Sequence, residues 1–150
     1  MQSRPFNLLL VEDDLAHVMI VKSALRNWSD VACLLYTVTN GEAALDFINK
    51  RPPYEDSPLP DLILLDLNIP KLSGLEVLES IKANDQFKSI PVVILTTSRH
   101  ENDIRASYMR GANSFISKVA EYSCFKELMR SICTYWMVHN QPPSPRGIGH

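Results

Sequence analysis

"LILLDLNIPKLSG", residues 62–74, sets four consecutive aliphatic side chains directly ahead of a carboxylate. A short apolar run closed by turn-forming residues reads as a strand buried on both faces. Asp66 then stands at the end of that strand, where Asn68, Pro70 and Gly74 break the chain away from it. A carboxylate at the edge of a buried strand is costly unless a cation or hydrogen-bond donors meet it.

Four further apolar runs resemble this one: "NLLLVE" (7–12), "ACLLYTV" (32–38), "PVVILT" (91–96) and "SFIS" (114–117). Stretches of helical period separate them. After Asp14, which suits a helix N-cap, Leu15, Val18, Val21, Leu25 and Trp28 mark one face. Ala44, Phe47 and Ile48 mark a second helix, and Leu75, Leu78 and Ile81 a third. Ile104 and Tyr108 share one side of a fourth, which Gly111 would stop. The last helix carries the longest stripe: Phe125, Leu128, Met129, Ile132, Cys133, Trp136 and Met137. Five βα units predict an α/β fold with a mostly parallel sheet, helices on both faces, and ligands outside the carboxyl ends of the strands.

Composition narrows the class. The 150 residues fit one domain with a proper core, 45% apolar and 21% charged. A net charge of −2 argues against the basic face that nucleic acid requires. No run approaches the roughly 18 apolar residues of a membrane span, and "MQSRPFN" lacks a signal peptide's apolar segment. Cys33, Cys124 and Cys133 match no metal-site spacing and read as reduced thiols, which points to the cytoplasm.

The strand ends carry the chemistry. "VEDD" leaves Glu12 and Asp13 at the first edge, Asp66 closes the third strand, Thr96 the fourth and Lys118 the fifth. If these strands are neighbours, the groups converge on one crevice. Clustered carboxylates repel, and an all-oxygen set of hard ligands suits Mg²⁺. The lysine and the hydroxyl then form a clamp for a charged group arriving on one carboxylate.

In order and spacing, "LLLVEDD", "LILLDLNIPKLSG", "PVVILTTS" and "SFISK" resemble the receiver domain of two-component response regulators over residues 7–138. The resemblance implies a doubly wound flavodoxin-like sheet in the order 2-1-3-4-5 and a phosphoacceptor at Asp66. It implies that Glu12, Asp13, Asp66 and the backbone carbonyl of Asn68 hold Mg²⁺. Thr96 would bind and report the phosphoryl group, and Lys118 would pair with it. A sensor histidine kinase is the implied donor. "RPPYEDSPLPDLILLDLNIPK", "PVVILTTS" and the long aromatic last helix are most similar to the single-domain regulators of cyanobacterial phytochromes.

Two positions depart from the family pattern. Phe115 stands where an aromatic switch residue is commonly Tyr, and without a hydroxyl it is expected to stay buried. Val119 replaces the proline that usually follows the lysine, which leaves open whether the Lys118–Val119 bond is cis or trans.

Residues 1–138 are expected to form the receiver and 139–150 a Pro/Gly-rich tail with little to bury. No further domain is expected, so output would come from docking on a downstream phosphotransfer or effector protein. Tyr135, Trp136 and Met137 extend the last helix and are candidates for a homodimer interface. The proline-rich stretch 50–61 reads as a stiff linker. A rival reading is an aspartate-based phosphohydrolase of the haloacid dehalogenase type. Its D-x-D pattern is missing here, because Asn68 lies two residues beyond Asp66. A receiver-like binding module acting without phosphorylation is the third possibility.

Overall fold

The computed structural model describes residues 4–26 and 32–143. Five strands form one parallel sheet: β1 (Phe6–Val11), β2 (Cys33–Val38), β3 (Leu62–Leu65), β4 (Val92–Thr96) and β5 (Ser114–Ser117). Their order is β2-β1-β3-β4-β5, as the resemblance implies. The helices are α1 (Leu15–Leu25), α2 (Gly41–Ile48), α3 (Gly74–Ala83), α4 (Glu101–Met109) and α5 (Tyr122–Thr134). The last of them runs on into a π-helical segment, Tyr135–His139.

Alternation along the strands builds two cores, because successive side chains point to opposite faces. Leu9, Val11, Ile63, Leu65, Val92 and Ile94 face α2 and α3, where Phe47, Leu78 and Ile81 meet them. Leu8, Leu10, Leu62, Leu64, Val93 and Leu95 face α1 and α5, against Val18, Val21, Phe125 and Met129. The register pairs Val11 with Leu65, Leu65 with Ile94 and Thr96 with Ser117, so β1 ends level with β3 and β4 with β5, while β4 runs two residues past the end of β3.

Local signals explain the helix starts. The Asp14 side chain accepts from the Ala16 and His17 amides and caps α1. Ser73 and Glu76 form a reciprocal capping box at α3. Gly111 ends the α4 turn at φ +99, a left-handed value that favours glycine.

Two helix-face expectations are corrected. Leu15 is 71% exposed because it lies in the first turn of α1, at the edge where the sheet has run out. Tyr108 is exposed too. The buried residue of α4 is Ser107, whose hydroxyl donates to the Asp103 carbonyl at 2.8 Å. At the chain's other end, Trp136 and Met137 pack half-buried against their own core, whereas Tyr135 and Val138 are exposed. Trp28 and residues 144–150 of the tail lie outside the described residues.

The 50–61 stretch is anchored rather than free. Tyr54 packs on Phe47 with ring centroids 5.4 Å apart, and Arg4 forms a two-pronged ion pair with Asp61. Among the described residues, no helix is long and apolar enough to cross a membrane.

Candidate functional site

The sheet brings the predicted residues together at its carboxyl edge. Backbone hydrogen bonds fix their positions: the Glu12 amide donates to Val38 O at 3.0 Å and the Asp66 amide to Val11 O at 3.1 Å. The Lys118 amide donates to Thr96 O at 2.7 Å. Each functional side chain therefore leaves the backbone at or next to a ladder bond, which limits its freedom before any ligand arrives.

Glu12, Asp66, Thr96 and Lys118 are buried, and Asp13 is exposed. The Lys118 ammonium has only 3% of its side chain exposed and meets three acceptors. It donates to Glu12 Oε1, to Asp66 Oδ2 at 3.0 Å, and lies 2.9 Å from His17 Nδ1. The other Asp66 oxygen accepts from the Asn68 amide at 3.2 Å, and Glu12 Oε2 accepts from the Asp14 amide at 3.2 Å.

This arrangement splits the two buried carboxyls. Burial alone would raise Asp66. The charge of Lys118, its hydrogen bond, the Asn68 amide and the Thr96 hydroxyl together outweigh burial and hold Asp66 below its usual value. At Glu12, burial is the stronger influence and pushes the carboxyl up, despite the same lysine. The surroundings of Asp66 thus favour its ionised form more than burial opposes it.

Glu12, Asp13 and Asp66 each offer an oxygen, and these atoms lie within 4.8 Å of one another. A compact set of hard carboxylate donors, open to solvent on the Asp13 side, fits Mg²⁺ or Mn²⁺. Asn68, Thr97, Ser98, Arg99, His100 and Asp103 line an open recess of about 590 Å³ beside the site. Its lining carries one charge of each sign, Arg99 and Asp103.

Thr96 is fully buried, and its hydroxyl accepts from the Ser98 amide at 3.4 Å. Ser98 in turn donates to Asp103 Oδ2 at 2.5 Å, which ties the β4–α4 loop to the first turn of α4. Phe115 is half-buried on the α2/α3 side of the sheet. The one cis bond among the described residues is Pro52–Pro53; Lys118–Val119 is trans, and Lys118 still reaches Asp66. Sequence reasoning missed His17, which pairs with a lysine 101 residues away and stacks on Phe125 at 5.7 Å. Its position one turn after "VEDD" was the only signal for it.

Comparison with known proteins agrees with this fold. The response regulator receiver domain family matches residues 8–130. Response regulator Rcp1 of Synechocystis sp. is 41% identical over 133 residues, covering 89% of this chain and 90% of that protein. The crystal structure of the phosphorylated cyanobacterial phytochrome response regulator RcpA superimposes with a TM-score of 0.90 at 38% identity. That match covers 94% of this chain and 100% of the other. The Mn²⁺-bound form of Rcp1 superimposes at 0.88 with 39% identity, over 93% of this chain and 100% of that one.

Proposed function

The chain belongs to the response regulator receiver family, and from that premise we propose that it accepts a phosphoryl group on Asp66 from a phytochrome-type histidine kinase. The observation that carries this reading is the buried Asp66 carboxylate, held ionised by Lys118 beside Glu12, Asp13 and Thr96. The phytochrome link rests on RcpA, described as a phytochrome response regulator and covered end to end by this chain.

Phosphoryl transfer to a carboxylate depends on positioning and on charge neutralisation. Glu12, Asp13, Asp66 and the Asn68 carbonyl would hold Mg²⁺, which supplies positive charge against the incoming phosphoryl oxygens. An Asp66 oxygen forms the new P–O bond as the donor's P–N bond breaks and the donor imidazole leaves. Lys118 offsets negative charge on the side facing β5, and the Thr96 hydroxyl can donate to a phosphoryl oxygen. A shift of Thr96 would pull on Ser98, and through Asp103 on α4.

Output through the folded surface, onto a downstream phosphotransfer or effector protein, completes the proposal. A homodimer across α4, β5 and α5 is part of it, supported by exposed Tyr108, Met109, Tyr135 and Val138. Trp136 and Met137 would contribute less than their size suggests, since they pack on their own core. Sedimentation showing a monomer at micromolar concentration in both phosphorylation states would remove the dimer.

The central test is labelling by acetyl phosphate and by a phytochrome-type kinase with Mg²⁺, comparing wild type with Asp66→Asn. Label lost only in the variant supports Asp66, whereas equal labelling removes it from the centre of the reaction. Turnover of small phosphate esters would favour the hydrolase. A wild type that takes no label would leave the unphosphorylated binding module.

A further inference from the structure

The buried ammonium of Lys118 has three N–H groups and no lone pair. Two of them go to carboxylates, Glu12 and Asp66. The third partner is an imidazole nitrogen, His17 Nδ1, at 2.9 Å. Facing a cation at that distance, Nδ1 must present its lone pair, which leaves the ring proton on Nε2. The alternative, an Nδ1–H donating to a carboxylate, has poorer geometry: Glu12 Oε1 lies 3.5 Å away and Asp14 Oδ2 3.7 Å. The ring also packs near Phe125, centroids 5.7 Å apart and tilted by 51°. Its backbone sits in the first turn of α1, capped by Asp14.

From this geometry we propose that His17 is a positioning residue, the neutral acceptor that aims the Lys118 ammonium at Asp66. The proposal rests on Asp66 and Lys118 being the pair that handles the phosphoryl group. Of the three acceptors, His17 alone is uncharged and outside the carboxylate set that suits a metal. Lys118 therefore keeps an anchor when Glu12 and Asp66 are engaged elsewhere. A long lysine stem gives little direction of its own, since four rotatable bonds must be fixed to aim one charge. An acceptor on a rigid helix supplies that direction.

The test begins on unphosphorylated, metal-free wild type, so that it does not depend on the transfer reaction. Imidazole ¹⁵N spectra should show His17 protonated at Nε2 with Nδ1 accepting. A His17 protonated at Nδ1 overturns the proposal, whatever any variant does. In lysine-¹⁵N protein the Lys118 ammonium should give a slowly exchanging resonance.

Two variants separate aiming from packing. His17→Phe keeps a ring against Phe125 and removes the acceptor, and His17→Asn restores an acceptor near the Nδ1 position. The Lys118 resonance should be lost in His17→Phe and kept in His17→Asn. Acetyl phosphate labelling should slow on the order of fivefold to tenfold in His17→Phe, the effect of one hydrogen bond to a charged group. It should stay within about twofold of wild type in His17→Asn. An unchanged Lys118 signal in His17→Phe, or equal losses in both variants, overturns the role of the acceptor. Asp66→Asn labelled like wild type would instead sink the phosphoacceptor reading while leaving the spectra to judge His17.

Discussion

Replacing Lys118 with Met removes the one cation shared by two buried carboxyls and keeps most of the side-chain volume. Glu12 is 3% exposed and Asp66 10% exposed in their side chains, so water cannot take over the role of the ammonium. Removing one partner from a buried ion pair costs about 3–5 kcal/mol. For a chain of this size that lowers the melting temperature by roughly 10 °C.

The pH dependence should also change sign. In wild type, Asp66 is held below its usual value, so its contribution is present above the ordinary carboxylate range and lost as pH falls through the folded pKa. Without Lys118 the burial of Asp66 is no longer outweighed, and its folded pKa rises above the unfolded one. Stability is then greatest in acid and falls as pH rises. Thermal melts of metal-free protein between pH 4 and pH 8, about the range that brackets carboxylate titration, read both effects. Adding Asp66→Asn should recover about half the loss, because one of the two repelling charges is gone. A Lys118→Met protein that melts within about 2 °C of wild type at the alkaline end, with no change of slope, refutes the reasoning.

Glu12→Gln should behave in the opposite sense. Burial raises Glu12, so its ionisation opposes folding, and stability is lost as pH climbs through the folded value. Metal-free Glu12→Gln should therefore lose part of that alkaline decline in melts while binding Mn²⁺ more weakly by electron paramagnetic resonance. Gly74→Ala should destabilise by about 2 kcal/mol in urea titrations and slow labelling of Asp66. A Cβ there would press on the Asp66 carbonyl oxygen and sit 2.6 Å from Leu67 Cα, displacing the loop that carries the site. Burial pushes the Cys33 thiol up to about 11 and the Cys133 thiol up to about 12. A thiol reagent at mildly alkaline pH should therefore modify exposed Cys124 alone until the protein unfolds. Phe115 should keep its side-chain position when a phosphoryl analogue binds, checked by its ring resonances, because it lacks the hydroxyl that a rotated state would hydrogen-bond.

The sheet was legible because the strands are short apolar runs, several of them flanked by Pro, Asp or Gly, and the strand bounds shift by a residue at most. The carboxylates were legible for a related reason, since a charge that closes a buried strand is too costly to persist without a cation or donors to meet it. Helix faces were harder to read. Leu15 fits the apolar period of α1, yet period says nothing about where the sheet beneath it stops. Ser107 was invisible as a core residue because its burial depends on a hydrogen bond to Asp103 O within its own helix. His17 was missed because its partner, Lys118, comes from the opposite end of the chain. The trans Lys118–Val119 bond could not be read either, since the lysine's aim is decided by what receives its protons.

The two sides of the site differ in mechanical stiffness. Asp66 is pinned through its amide to β1, and β3 lies between β1 and β4, so the residue that receives the load cannot recoil. On the other side, Thr96 connects to α4 by single side-chain links through Ser98 and Asp103, and His100 gives that helix no side-chain cap. A force generated between the two will be taken up by the compliant partner. The β3 side then serves as an anvil and the loop before α4 as the spring, so displacement should travel toward α4 and β5 while the β2–β1–β3 half stays in place.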